Sequence, residues 1–117
     1  MKYIMLIAGE EAAEASGSGE ERQAAYQRVE QWWNDLTASG KIVAGHELQP
    51  SSTATTVRVG ADGSSTVTDG PFVEAKEMVG GYGILDVADL DEALSIASTW
   101  PGQATLEIRP IVTREGT

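Results

Sequence analysis

The stretch VTDGPFVEAKEMVGGY, residues 67–82, constrains the fold of this chain more than any other segment. It opens with an apolar run, bends at Gly70-Pro71, carries charged side chains over residues 74–77 and closes on a second apolar run that contains paired glycines. Glycine reaches backbone conformations closed to other residues, and proline fixes its own φ angle, so the pair favours a sharp turn. The pattern predicts two strands joined by a bent, charged and exposed connection.

The composition predicts a single acidic globular domain spanning residues 1–117. Hydrophobic residues make up 41% of the chain, which is ordinary for a globular protein and too apolar for a disordered one. Eighteen acidic residues against eight basic ones give a net charge of −10. Because such a surface repels phosphate backbones and anionic lipid, we expect neither nucleic acid nor a membrane as a partner.

The absence of cysteine excludes disulfides, thiolate nucleophiles and zinc–thiolate sites. The apolar run at residues 3–8 is shorter than the core of most signal peptides and leads directly into acidic residues, so it is predicted to be a strand. No stretch approaches the ~20 apolar residues that a membrane span requires. We therefore expect a cytoplasmic protein.

The hydropathy pattern predicts the order strand, helix, strand, hairpin, strand, helix, strand. Five predicted strands cover residues 3–8, 55–59, 65–68, 78–87 and 104–112. Another strand is predicted to begin at Ile42-Val43-Ala44 and to lead through residues 45–48 to Pro50. The capping signatures Ser18-x-x-Glu21 and Asp89-x-x-Glu92 indicate the starts of the two helices, and Gly40 indicates the end of the first.

This order is typical of an α+β, ferredoxin-like sandwich with an antiparallel sheet and two helices on one face. Residues 3–8 are apolar at both alternating sets of positions, and so are the residues around 82–85. Two helices can cover only one face of the sheet, so the other face requires a different cover, most simply a second copy of the sheet. The sequence thus predicts a homodimer of the dimeric α/β-barrel type.

Five further residues carry structural expectations. Trp32 and Trp33 are adjacent on a helix, so we expect one in the core and the other at the dimer interface or a cleft rim. Gly80 and Gly81 favour a β-bulge or a close approach between strands. Arg109 is predicted to form a surface ion pair.

Motifs along almost the whole chain resemble the YCII-related family, in the branch named after its Asp-Gly-Pro-Phe motif. They are residues 1–7, Gly45-His46-Glu47-Leu48-Gln49-Pro50, residues 69–82, residues 89–94 and Glu107-Ile108-Arg109-Pro110-Ile111. The resemblance implies a fold similar to the dimeric barrels. It also implies, for some relatives, an enzyme with a His–Asp pair, and, for branches like this one, an association with alternative sigma factors.

His46 and Asp69 are the residues that could form such a catalytic pair. A histidine titrates near neutral pH, and a carboxylate on its other nitrogen fixes the tautomer and raises the basicity. The pair would serve a small-molecule enzyme of lyase or isomerase type. Two other interpretations stay open: His46 as a surface residue, and Asp69 as an acceptor of backbone N–H bonds from the turn that follows it. The chain would then be a non-catalytic ligand-sensing or regulatory partner protein linked to transcription.

Phe72, Glu74, Lys76 and Glu77 are the candidate substrate-binding residues. Lys76 could bind the acid group of a small anionic ligand, with the neighbouring carboxylates tuning its charge. The alternative interpretation is a solvated ion-pair cluster with little energetic effect. No nucleotide-binding, metal-binding or nucleophile signature is present, so the sequence predicts no cofactor and no metal.

Overall fold

A computed structural model describes residues 1–10, 17–71 and 77–114 of the protein. Its elements are β1 (Lys2–Gly9), α1 (Gly19–Ala38), β2 (Ile42–Glu47), β3 (Thr55–Val59), β4 (Ser65–Asp69), β5 (Met78–Asp86), α2 (Leu90–Ala97) and β6 (Thr105–Pro110). The predicted order of elements is therefore confirmed. The second strand, predicted to begin at Ile42, includes His46 because its backbone stays paired with β5 as far as Glu47.

Four strands form one antiparallel sheet in the order β2-β5-β1-β6. With both helices in the crossovers that lead to the sheet's edge strands, this is the predicted ferredoxin-like α+β topology. Strands β3 and β4 form a separate two-stranded sheet, a hairpin inserted between β2 and β5.

Local capping chemistry sets the helix boundaries as the sequence predicts. The Ser18 hydroxyl accepts a hydrogen bond from the Glu21 amide at 3.0 Å, and the Glu21 carboxylate accepts one from the Ser18 amide at 3.3 Å. Helix α1 ends at Ala38, and Gly40 follows with a φ of +78°, which favours glycine. Neither this helix nor any other in the described part of the chain is long and apolar enough to cross a membrane.

The core lies between the sheet and the two helices. Its buried apolar residues are Tyr3, Met5, Ile42, Leu85, Val87, Ala93 and Ala97. Met5 and Leu85 are completely buried and occupy neighbouring strands, β1 and β5.

Both tryptophans of α1 pack against this core, so the expectation that only one would do so was wrong. The Trp33 ring lies over the paired glycines Gly45 and Gly83, where a Cβ on Gly45 would overlap it. The Trp32 indole N–H donates to the Thr99 hydroxyl at 2.7 Å, near the end of α2. Adjacent residues on a helix point in different directions. Trp33 therefore packs on the sheet, and Trp32 packs beside the second helix.

Candidate functional site

The sheet face that the helices leave open carries His46, although the fold could have turned this residue either way. Its strand neighbour Glu47 accepts a hydrogen bond from Tyr26 of α1 at 3.3 Å, so Glu47 lies on the helix side. Side chains alternate along a strand, which places His46 on the opposite, helix-free face. Tyr82 of β5 is its register partner there.

The His46 and Tyr82 side chains are in direct contact. The imidazole Nδ1 lies 3.0 Å from the Tyr82 hydroxyl oxygen, and the ring centroids are 5.8 Å apart. A hydroxyl group both donates and accepts, so either imidazole tautomer satisfies this contact. If Nδ1 accepts, Nε2 carries the proton and donates hydrogen bonds; if Nδ1 donates, Nε2 has a free lone pair and can act as a base. The pair therefore has the chemistry of a proton-transfer group.

The neighbours of this pair on the same face are mostly apolar. In the row of His46 and Tyr82, the register continues to Leu6 of β1 and Glu107 of β6. The next row contains Ala44, Ile84, Ile4 and Arg109 in the same strand order. The Arg109 guanidinium pairs with the Glu107 carboxylate at 2.7 Å, which confirms the predicted ion pair.

A groove of about 490 Å³ opens at the end of the sheet where β2 finishes and β5 begins. Its lining residues are Leu48, Gln49, Pro50, Ser51, Thr53, Ala54, Pro71, Glu77, Met78 and Val79. The Leu48 amide donates to the Gly80 carbonyl at 2.8 Å, so the strand pairing that holds His46 extends into the groove wall. Leu48 follows His46 by two residues and thus continues the same face. His46 thus lies two residues before the groove wall along the chain, and neither it nor Tyr82 lines the groove.

An irregularity in the strand pairing at Gly80 shapes this end of the sheet. Ile7 pairs with Gly81 and Ala8 pairs with Val79, which leaves Gly80 as an extra residue opposite β1. This confirms the bulge that the glycine pair predicts. The bulge turns Val79 into the groove wall.

The Gly70-Pro71 turn is hydrogen-bonded to the start of the β3–β4 hairpin and borders the same groove. Gly70 has a φ of +93°, which few residues other than glycine adopt. In that conformation its amide donates to the Ala54 carbonyl at 2.7 Å, and its carbonyl accepts from the Thr56 hydroxyl at 2.7 Å. The geometry of this tight turn explains the glycine of the Asp-Gly-Pro-Phe motif, and Pro71 and Ala54 both line the groove.

Asp69 lies at the end of β4, opposite Thr55, and its side chain is exposed. Within residues 1–10, 17–71 and 77–114 no hydrogen bond joins it to His46, whose ring contacts Tyr82 instead. The sequence did not reveal Tyr82 as a partner. The signal available was an aromatic hydroxyl on an apolar strand, and only the register makes it the neighbour of His46.

Of the candidate substrate-binding residues, the structure locates one. Glu77 is exposed and lines the groove. Phe72, Glu74 and Lys76 lie outside the described residues. In the described ranges there is no group of three or more side chains suited to hold a metal ion.

A second polar contact lies at the same end of the molecule but on the helix side. The negative charge of Glu47, together with its hydrogen bond, raises the pKa of the Tyr26 phenol above its usual value. Tyr26 is therefore held in its neutral, donating form. It does not share a face with His46, so we assign it to positioning α1 against β2 rather than to the site.

Comparison with known proteins agrees with this geometry. A sequence model of the YCII-related domain matches residues 1–113. The chain belongs to the YCII-related family. It is also 32% identical over 115 residues to an uncharacterized protein of Rhizobium meliloti (strain 1021), covering 95% of this chain and 92% of that relative. The family resemblance is confirmed, whereas membership of the Asp-Gly-Pro-Phe branch stays a prediction.

Proposed function

We propose that this YCII-related protein is a small-molecule enzyme of lyase or isomerase type in which His46 transfers the proton. The observation that carries the proposal is the 3.0 Å contact between His46 Nδ1 and the Tyr82 hydroxyl, on the face next to a mainly apolar groove. A pocket with an apolar lining and a few polar groups is typical of sites for small ligands. His46, two residues before Leu48 of the groove wall, would supply general acid–base catalysis.

Each residue has a defined role in this proposal. Tyr82 is a positioning residue that holds the imidazole so that Nε2 is directed to substrate. The apolar groove wall binds the body of the substrate. Lys76, adjacent in sequence to Glu77 of the groove wall, is the proposed anchor for an acid group. Asp69 is the proposed second catalytic residue, and within the described residues no hydrogen bond joins it to His46.

The proposed enzyme is a cytoplasmic homodimer. Ile4, Leu6 and Ile84 lie on the helix-free face and are only partly buried in the single chain. A second copy that covers this face would remove their apolar surface from water. It would also enclose the His46–Tyr82 pair, where a drier environment strengthens electrostatic interactions.

Proton transfer can be measured before the full reaction is known. A panel of small carboxylic acids that carry a C–H bond next to a carbonyl is incubated with the protein in D₂O, and loss of the C–H signal is followed by proton NMR. We expect exchange with at least one member of the panel, and its loss in His46→Gln. Glu107→Gln, on the same sheet row, is the matched control and retains the activity.

The same panel separates catalysis from ligand sensing. Binding is followed by the chemical shifts of the groove residues. If acids bind in the groove and the wild-type protein exchanges none of their protons, the enzyme proposal fails and the chain is a non-catalytic binding protein. If His46→Gln exchanges protons as fast as the wild type, His46 is not the proton-transfer group.

A further inference from the structure

The groove at the end of the sheet has one charged residue in its described wall, and that residue is acidic. Six of the ten lining residues are apolar, three are polar but uncharged, and the tenth is Glu77. The Glu77 carboxylate has no hydrogen bond and no ion pair in the part of the chain that the structure describes. A ligand in the groove therefore meets a negative charge that no described partner holds.

Several hydrogen-bond donors of the wall are used within the wall itself. The Thr53 amide and hydroxyl both donate to the Pro50 carbonyl, at 2.9 Å and 2.7 Å. The Ala54 amide donates to the Ser51 carbonyl at 3.0 Å. Pro50 and Pro71 have no N–H to donate. An anionic ligand, which needs donors, finds few of them in these residues.

The same wall retains hydrogen-bond acceptors. An ionised carboxylate such as that of Glu77 only accepts. The Thr53 hydroxyl directs its proton to the Pro50 carbonyl, so it too can only accept from a ligand. The Gln49 carboxamide and the Ser51 hydroxyl can donate or accept. This balance favours a ligand that brings hydrogen-bond donors.

Charge favours the same kind of ligand. The chain has a net charge of −10, and a surface with an excess of one sign attracts ligands of the opposite sign. A cation that enters an apolar groove loses part of its hydration and needs an anionic partner. An ammonium group meets both conditions, because it is positive and carries three N–H donors and no acceptor.

The apolar part of the wall defines the rest of the ligand. Its residues are Leu48, Pro50, Ala54, Pro71, Met78 and Val79. The volume of about 490 Å³ lies within the range of about 300–1,000 Å³ that is typical of sites for small ligands. Burial of hydrocarbon against such a wall is favourable. The groove therefore fits an aliphatic or aromatic body attached to the ammonium group.

We propose that the groove binds its ligand through an ammonium group, with the Glu77 carboxylate as the partner of that charge. Gln49 and Thr53 are neutral acceptors in the same wall. The inference deepens the proposed function and rests on it for the substrate class. A substrate that has the acid group of that proposal and also an ammonium group is an amino acid with an apolar side chain.

The first test uses three probes that share one phenylethyl body. Phenethylamine carries only the ammonium group, 3-phenylpropanoate carries only the carboxylate, and phenylalanine carries both. Their dissociation constants are measured by NMR titration, from the shifts of the Leu48 and Val79 amide signals. We expect phenethylamine to bind at least fivefold more tightly than 3-phenylpropanoate.

Substitution of Glu77 tests the role of its charge. In Glu77→Gln we expect phenethylamine to bind about fivefold more weakly, the upper end of what an exposed ion pair contributes. The affinity for 3-phenylpropanoate should not fall. Glu30→Gln is the matched control, because it removes the same charge from helix α1, which contributes no residue to the groove wall. It should change both affinities less than twofold.

The second test needs no variant. Raising the salt concentration from about 0.01 M to 1 M shortens the Debye length from about 30 Å to 3 Å and screens exposed charges. We expect phenethylamine to bind the wild-type protein at least threefold more weakly at high salt. Binding of 2-phenylethanol, which has the same body without a charge, should not weaken.

The outcomes separate this inference from the proposal on which it rests. Equal binding of phenethylamine and 3-phenylpropanoate, or unchanged binding of the amine by Glu77→Gln, overturns the ammonium site. Absence of groove shifts with every probe overturns it as well. Amine binding that depends on Glu77, without proton exchange from phenylalanine or any other acid of the panel, supports the ammonium site and contradicts the proposed enzyme.

Discussion

At the scale of single residues, two glycines decide how closely helix α1 approaches the sheet. Gly45 and Gly83 are paired across β2 and β5, and the ring of Trp33 occupies the space that their missing side chains leave. A Cβ on Gly83 would lie 3.0 Å from the ring, and one on Gly45 would overlap it. Because these two glycines have no side chains, the Trp33 ring packs directly on the strand backbones.

Substitution of Gly45 by a larger residue is expected to destabilise the fold. Gly45→Ala forces the Trp33 ring or the helix to move, and overpacking of this kind costs about 1–3 kcal/mol. Gly80→Ala is the control, because a Cβ there meets no atom within 4 Å; we expect a change within about 0.5 kcal/mol. Urea unfolding followed by tryptophan fluorescence measures both. Equal stability of the two variants would show that the ring adapts at no cost.

The roles proposed around His46 predict an order of effects on proton exchange. Tyr82→Phe removes the hydroxyl that holds Nδ1 and is expected to lower the rate about tenfold, less than the roughly 10²–10⁴-fold that an acid–base group itself contributes. Asp69→Asn removes a charge without a hydrogen bond to the imidazole, so a smaller loss is expected. Rates over pH 5–9 with substrate held constant test this order. A larger loss for Asp69→Asn would favour a direct His–Asp pair.

Single-residue signals in the sequence revealed only part of this site. His46 was identifiable because it is the one histidine of the chain. Its contact with Tyr82 was not, because the two residues are 36 positions apart and meet through the register of β2 on β5. That register follows from long-range pairing, which no local pattern encodes.

At the scale of elements, α2 is fixed at its start by a carboxylate with several partners. Glu92 accepts from the Ala88 amide at 2.8 Å and from the Lys41 ammonium group at 3.0 Å, while its own amide donates to Asp89 at 2.9 Å. The Ala88 bond, and then Lys41, hold the pKa of Glu92 below its usual value. The helix start is thereby joined to the beginning of β2.

This arrangement predicts a pH-dependent contribution to stability. Because the pKa of Glu92 is lowered by folding, its contribution is complete above the unfolded-state value of about 4.5 and is lost as the pH falls through the folded-state value. Glu92→Gln should therefore be less stable than the wild type at pH 7 and equal to it at pH 2. Asp91→Asn removes a charge from the same helical turn without these partners and controls for the helix dipole. Urea midpoints at both pH values test the prediction, and a constant difference would contradict it.

The elements were predictable where their signals are local. Both N-cap signatures span four residues, and the turns at Gly40 and Gly70 each depend on a single φ angle, so the sequence contains all the information they need. The hairpin was predicted too. That it forms a sheet of its own was not, since this depends on which edges of the main sheet remain available.

At the scale of the whole molecule, the flat protomer has helices on one side of its sheet and a half-covered apolar face on the other. The two-sided apolar pattern of β1 predicted this imbalance, because alternate residues cannot all reach one pair of helices. A cover for the open face would complete the core and the site together. Assembly and activity are therefore expected to depend on the same surface.

A homodimer makes thermal stability depend on protein concentration. Unfolding that releases two chains is opposed by mass action, so each tenfold rise in concentration adds about 1.4 kcal/mol per dimer. With an unfolding entropy of about 2.1 cal/mol/K per residue, the Tm should rise by roughly 3 °C per tenfold increase. Leu6→Glu, on the helix-free face, should have a lower Tm that does not change with concentration. Calorimetry across a hundredfold range measures this, and a constant wild-type Tm would mean that the sheet face is stable without a second copy.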